Sequence, residues 1–148
     1  MEAYQDFKEL LELFNARQVD YLIVGAHALA FYGAPRYTGD MDLLIHSDPK
    51  NADRITKALA DFGFASVNLK PEDFIGLDKV IQLGVAPVRV DILTSLTGVS
   101  WEEAFRNRTI GKYGDVNVYY IGKPELIRNK RATGRKKDLA DLEALDEE

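Results

Sequence analysis

Three aspartates are the residues of this sequence best suited to chemistry. Asp40 and Asp42 flank Met41 at the start of an apolar run, and Asp91 lies in a second run of similar design, "VRVDIL". Because side chains alternate faces along a strand, Asp40 and Asp42 share one face of the first run. If the two strands are neighbours in near register, the three carboxylates converge on one patch.

A divalent cation would suit such a patch. Like charges a few ångströms apart raise each other's pKa and cost stability unless a cation neutralises them. Magnesium takes oxygen ligands and completes its shell with water and substrate phosphates. Two such ions could activate an attacking oxygen and stabilise a leaving one during phosphoryl or nucleotidyl transfer.

The residues alone leave a second interpretation open, in which Asp40 and Asp42 are only the solvent-facing side of a strand. Leu44 on the same face argues against an open solvent surface, and the third acid on a matching strand favours a metal site. Arg89 shares the face of Asp91, so it is predicted to be a salt-bridge partner that could steer that acid.

A strand, tight turn and helix unit precedes the acid pair. The apolar stretch "DYLIVGA" predicts a buried strand that stops at Gly25, and "AHALAFYG" predicts a helix that starts directly after it and ends at Gly33. The N-terminal amides of that helix could hold a phosphate. This unit would therefore place an anion site upstream of the acids.

The other elements complete one α/β domain spanning residues 1–148. An amphipathic helix ends near Arg17, and a helix after the acid strand has Asp48 as N-cap and ends at Gly63. "KVIQLGV" and "PVRVDILTSL" predict a hairpin, and two more short strands flank a later turn. Helices over 123–146, broken near Gly134, would pack on the core. We expect a short mixed sheet with helices mainly on one side.

Composition narrows the classes of function. The 148 residues are 46% hydrophobic with a net charge of −5, which is ordinary for a soluble domain. The absence of cysteine excludes disulfides, thiolate zinc sites and cysteine nucleophiles, and two histidines make a histidine-rich metal site improbable. No apolar run approaches the roughly 18 residues of a membrane span. A cytoplasmic protein that does not bind membranes is expected.

These motifs together resemble the nucleotidyltransferase superfamily whose type member is DNA polymerase beta. Gly25-Ala26 is followed by thirteen residues, then by "DMD", and Asp91 supplies a later single acid. "RYTGDMD" is similar to the Arg-x-Thr-x-Asp-x-Asp form of the bacterial branch that includes the AbiEii abortive-infection toxins. "KRATGRKKDLADL" looks like a C-terminal motif of the same branch.

The resemblance implies a nucleotidyltransferase fold and a role for each motif residue. Asp40 and Asp42 would hold two Mg²⁺ ions, and Asp91 would hold the catalytic one and help to activate the acceptor hydroxyl. The turn at Gly25 and Ala26 would hold the triphosphate. Further nucleotide-binding positions implied by the resemblance are Arg36, Thr38, Lys130, Arg135 and Asp138, of which Lys130 would contact phosphates.

The implied function is a magnesium-dependent nucleotidyltransferase. It would move a nucleoside monophosphate from a triphosphate such as ATP or GTP to a hydroxyl of RNA, tRNA or protein, with release of pyrophosphate. A toxin–antitoxin or phage-defence role, with a partner protein or self-association, is compatible with that branch. Two alternatives stay open. An inert binding module is one, since Ala26 lacks a hydroxyl for phosphate, and a two-metal nuclease is the other.

Overall fold

The computed structural model describes residues 4–34, 39–63, 68–85 and 88–145. Its helices are α1 (Gln5–Ala16), α2 (Gly25–Phe31), α3 (Pro49–Phe62), α4 (Trp101–Arg106), α5 (Lys123–Thr133) and α6 (Lys136–Ala144). Its strands are β1 (Tyr21–Val24), β2 (Asp40–Ile45), β3 (Val80–Val85), β4 (Val88–Leu93), β5 (Thr109–Tyr113) and β6 (Val116–Tyr120). A short 3-10 turn covers Pro71–Phe74.

The strands form one six-stranded mixed sheet in the order β3-β4-β2-β1-β6-β5. β2 runs parallel to β4 and β1 runs parallel to β6, whereas the other neighbours are antiparallel. The predicted α/β fold class with a mixed sheet is confirmed. The β3–β4 hairpin is confirmed by the pairing of Val85 with Val88, and its turn residues, Ala86 and Pro87, lie outside the described residues.

The long helices follow the local signals in the sequence. In α3, Oδ1 of Asp48 accepts a hydrogen bond of 2.8 Å from the backbone N–H of Asn51, and the helix ends at Gly63 in the left-handed region. The apolar face of α1 is buried against α3 and the sheet, as its periodicity predicts. α1 also packs on β6, so these helices cover part of the sheet.

The strand before the acids turns directly into a helix. All four residues of β1 are buried. α2 begins at Gly25 itself, one residue before the predicted start, because the backbone changes direction at this glycine with a φ of +67°. No linker separates the two elements, so the first turn of α2 lies at the end of β1.

The C-terminal helices break at Gly134, as predicted. This glycine has a φ of +60° and terminates α5, and α6 begins two residues later. Leu126, Leu142 and Leu145 are buried and attach the pair to the rest of the fold. Within the described ranges, no helix is long and apolar enough to cross a membrane.

Candidate active site

The acids of β2 and β4 meet in register. Asp42 is the Cα partner of Asp91, and Asp40 is the Cα partner of Arg89, on adjacent parallel strands. On β2, Met41 and Leu43 are fully buried while the two aspartates are partly exposed, so the strand has one apolar and one acidic face. The condition for convergence of the acids, neighbouring strands in near register, is therefore met.

The acidic face opens into a cleft of about 840 Å³ at the end of the β1–α2 unit and beside α5 and α6. The structure thus brings most of the sequence-predicted residues together. Those lining the cleft are Gly25, Ala26, Asp40, Asp42, Asp91, Lys130 and Arg135. Arg36 and Thr38 lie outside the described residues, and Asp138 is buried without lining the cleft.

The carboxylate of Asp42 lies against the backbone of Gly25. A Cβ atom built at position 25 would overlap Oδ2 of Asp42, and the positive φ of Gly25 is itself unfavourable for any residue with a side chain. The absence of a side chain at Gly25 therefore lets an acid of β2 approach the turn where the resemblance places the triphosphate.

The negative charge of Asp42 is only partly compensated by nearby lysines. Burial raises the pKa of this carboxyl to about 6, the charges of Asp91 and Asp40 add to the rise, and Lys130 and Lys137 offset it in part. No hydrogen bond or ion pair joins the Asp42 side chain to another residue in the described part of the chain. A cation bound beside it would remove this unfavourable electrostatic interaction, so the donor set fits a hard divalent ion.

Arg89 already supplies one positive charge to the acids. Its Nε and Nη2 donate to the two carboxylate oxygens of Asp91 at 3.1 and 3.0 Å, and Nη2 also lies 3.1 Å from Oδ2 of Asp40. The two-point contact fixes the plane of the Asp91 carboxylate. Arg89 is thus the salt-bridge partner expected from the sequence, and it holds Asp91 and Asp40 together.

The acids do not form a ready-made metal cage. Among the residues that the structure describes, no group of three or more histidine, cysteine, aspartate or glutamate side chains is arranged to hold one ion. Magnesium does not require such a cage, since it is commonly bound by one or two carboxylates together with water and substrate phosphates. The site therefore fits an ion that is completed by its substrate.

Behind the cleft, α5 and α6 are joined by a buried charge network around Asp138. The ammonium group of Lys130 lies 3.3 Å from Oδ1 of Asp138 and 3.1 Å from Oδ2 of Asp141. Arg135 donates from its backbone N–H and its guanidinium to Asp138, and the Thr133 hydroxyl lies 2.7 Å from Oδ2 of the same carboxylate. Asp138 is fully buried, so its clearest role is to position Lys130 and Arg135.

Lys137 also lines the cleft, although the sequence analysis assigned it no separate role. Lys137 is exposed in the first turn of α6, and its positive charge opposes the rise in the pKa of Asp42. The sequence placed it inside the C-terminal motif, directly before Asp138, but gave no sign of which lysine of that motif faces the acids.

Comparison with known proteins identifies the fold. No family model and no curated protein matches the chain. A solved structure of TM1012 from Thermotoga maritima, a protein assigned provisionally to the nucleotidyltransferases, superposes with a TM-score of 0.64 at 10% identity and covers 93% of this chain and 88% of its own. The chain has the nucleotidyltransferase fold. A second structure with this fold is the lincosamide antibiotic adenylyltransferase LnuA with lincomycin bound, with a TM-score of 0.61, 14% identity and coverage of 99% and 98%.

Proposed function

We propose that this chain is a magnesium-dependent nucleotidyltransferase that transfers a nucleoside monophosphate from a nucleoside triphosphate to a hydroxyl acceptor. One observation carries the proposal. Asp42 and Asp91 are paired across β2 and β4, with Asp40 beside them, in a cleft that also contains the Gly25 turn. The nucleotidyltransferase fold of the chain supports the same reaction class.

The proposed reaction is an in-line displacement at the α-phosphorus. The acceptor oxygen forms a new bond to that phosphorus, the bond to the oxygen bridging the α- and β-phosphates breaks, and pyrophosphate leaves with the bond electrons. Asp91, whose orientation Arg89 fixes, would take the proton of the acceptor hydroxyl. The amides that follow Gly25 would bind the phosphates, a role that Ala26 can fill without a hydroxyl.

Asp40, Asp42 and Asp91 would hold the magnesium. When bound, magnesium would neutralise charge on the phosphates and on these acids. The partly buried Asp42 would gain from this neutralisation, because burial and its neighbours disfavour its charged form when no cation is present.

The acceptor class can be narrowed by experiment. RNA, tRNA and protein hydroxyls follow from the resemblance to the AbiEii branch, together with a toxin–antitoxin or phage-defence role and a partner protein. LnuA acts on a lincosamide antibiotic, and this chain aligns with almost all of it. We therefore add small hydroxyl-bearing molecules to the acceptors to be tested.

The test is a transfer assay with each α-labelled nucleoside triphosphate, Mg²⁺ and three acceptor pools: total RNA, cell protein and small-molecule extract. We expect label in one pool, with one molecule of pyrophosphate released per transfer and no transfer in excess chelator. Calorimetry that shows no Mg²⁺-dependent triphosphate binding would favour the inert binding module. Cleavage of RNA without added triphosphate would favour the nuclease.

A further inference from the structure

Among the residues that the structure describes, four basic side chains line the cleft: Arg89, Lys130, Arg135 and Lys137. The first three are paired with protein carboxylates. Arg89 is bound to Asp91 and Asp40, as described above. Nε and Nη2 of Arg135 donate hydrogen bonds of 2.7 and 3.2 Å to the carboxylate of Asp138. In each of these two guanidinium groups the edge formed by Nε and Nη2 is already bound to a carboxylate, which leaves only the remaining N–H groups for a phosphate.

Lys130 is even less able to bind a phosphate than the two arginines are. Its side chain is only 7% exposed. Its ammonium group donates a hydrogen bond to Asp138 and forms an ion pair with Asp141. Moving it into the cleft would break its ion pairs with two buried carboxylates, which is strongly unfavourable. The contacts of Lys130 therefore suit a positioning role, in which this lysine joins α5 to α6.

Lys137 has a different environment. It is exposed in the first turn of α6 and lines the same cleft, and no carboxylate pairs with it among the residues that the structure describes. The same cleft is lined by Asp42 and by the Gly25 turn, so Lys137 shares this space with the acids. A flexible, hydrated lysine in this place can reach an anion without breaking an existing pair.

We propose that Lys137, rather than Lys130, is the lysine that binds the polyphosphate of the substrate. This inference rests on the proposed function of the cleft. The ammonium group would donate to non-bridging oxygens of the triphosphate and of the leaving pyrophosphate, opposite the acids. Lys130 would act on the substrate only through the position of α6.

The adjacent lysine provides a matched control. Lys136 is exposed in the same turn of α6, has the same charge and does not line the cleft. Lys137→Met and Lys136→Met therefore remove equal charge from neighbouring positions. Both should unfold at the wild-type temperature, because neither side chain is buried.

The experiment measures binding of Mg²⁺–ATP, Mg²⁺–GTP and magnesium pyrophosphate by calorimetry, with adenosine and guanosine as ligands that lack phosphate. We expect Lys137→Met to weaken polyphosphate binding about tenfold to a hundredfold, as for loss of a charge-assisted hydrogen bond. Nucleoside binding should not change, Lys136→Met should stay within about twofold of wild type, and Lys137→Arg should retain most of the affinity.

Two results would overturn the inference, and they are distinguishable from failure of the proposed function. If both Lys137→Met and Lys136→Met bind polyphosphate with wild-type affinity, Lys137 is only a solvated surface lysine. An equal loss in both variants would show a general charge effect. If wild-type protein binds no magnesium-bound nucleotide or pyrophosphate, the proposed function itself fails and the inference fails with it.

Discussion

Gly25 and Asp42 are in direct contact, so that the turn after β1 and the acid of β2 form one surface. The carboxylate of Asp42 occupies the space that a Cβ at position 25 would need. The acid and the amides at the start of α2 can therefore act on the same substrate. Any side chain at Gly25 should separate them.

Gly25→Ala should impair activity more than stability. Alanine at a φ of +67° costs about 1–2 kcal/mol of folding free energy, and its methyl group would in addition push Asp42 out of place. We expect an activity loss of at least about a hundredfold, because misplacement of a reacting group by about 1 Å is that costly. Steady-state kinetics and urea unfolding would measure the two effects.

Gly134→Ala is the control for the backbone cost. Its φ of +60° is close to that of Gly25, but a Cβ there meets only a carbonyl oxygen at 3.6 Å, an ordinary contact. This variant should lose similar stability and keep its activity. Equal activity losses in the two variants would contradict the contact between Gly25 and Asp42 as the cause.

Arg89→Met should change magnesium dependence and turnover in opposite directions. Without the guanidinium group, no arginine charge competes with Mg²⁺ for Asp91 and Asp40, so the free protein should bind Mg²⁺ more tightly. Turnover should fall, because the plane of the Asp91 carboxylate is no longer fixed. A magnesium titration of the transfer rate would measure both.

Arg128→Met is the matched control, since Arg128 pairs with Glu103 and does not line the cleft. It should leave the magnesium titration unchanged. Should Arg89→Met also leave it unchanged, the pairing of Arg89 with the acids would have no part in the reaction.

Asp138→Asn should destabilise the protein by about 3–5 kcal/mol, the usual cost of breaking a buried ion pair from one side. The substitution weakens contacts with both Lys130 and Arg135 at a fully buried position. Chemical denaturation would measure the change. Asp53→Asn, which removes an exposed pair with Lys57, should cost less than about 0.5 kcal/mol.

The same carboxylate predicts a response to acid. Burial alone would raise the pKa of Asp138, but hydrogen bonds from Arg135 and Thr133 and the charge of Lys130 hold it well below the usual range. A depressed folded pKa gives stability that is present above the unfolded value of about 3.9 and is lost as the pH falls below it. Unfolding free energies should drop between about pH 5 and pH 2, and less steeply in Asp138→Asn. An equal slope in both proteins would show that other groups dominate.

Much of the fold could be predicted from local patterns. The apolar period of α1, the Asp48 cap and Gly63 end of α3, and the break at Gly134 are short-range signals that tertiary packing did not override. The pairing of β2 with β4 agrees with the similar residue patterns of the two strands, since each has one apolar face and one face that carries acid. A one-residue slip would bury the acids.

The positions of the basic residues could not be predicted in the same way. The run "RNKRATGRKK" contains several lysines and arginines with similar helical neighbours. Which of them is buried depends on how α6 folds back on α5, and this long-range arrangement gives Lys130 two carboxylate partners. The same packing leaves Lys137 in the cleft. The roles of Arg36 and Thr38, outside the described residues, remain predictions from the resemblance.

The most direct measurement of the central claim is pyrophosphate release coupled to label transfer in Asp40→Asn with Asp42→Asn. Wild-type protein and the exposed-site variant Asp53→Asn should transfer label at equal rates in Mg²⁺. The double variant should fold and lose at least about a hundredfold in rate, since the acids would supply several kcal/mol through the bound ion. Transfer at the wild-type rate in the double variant would contradict the assignment of this cleft as a nucleotidyltransferase site.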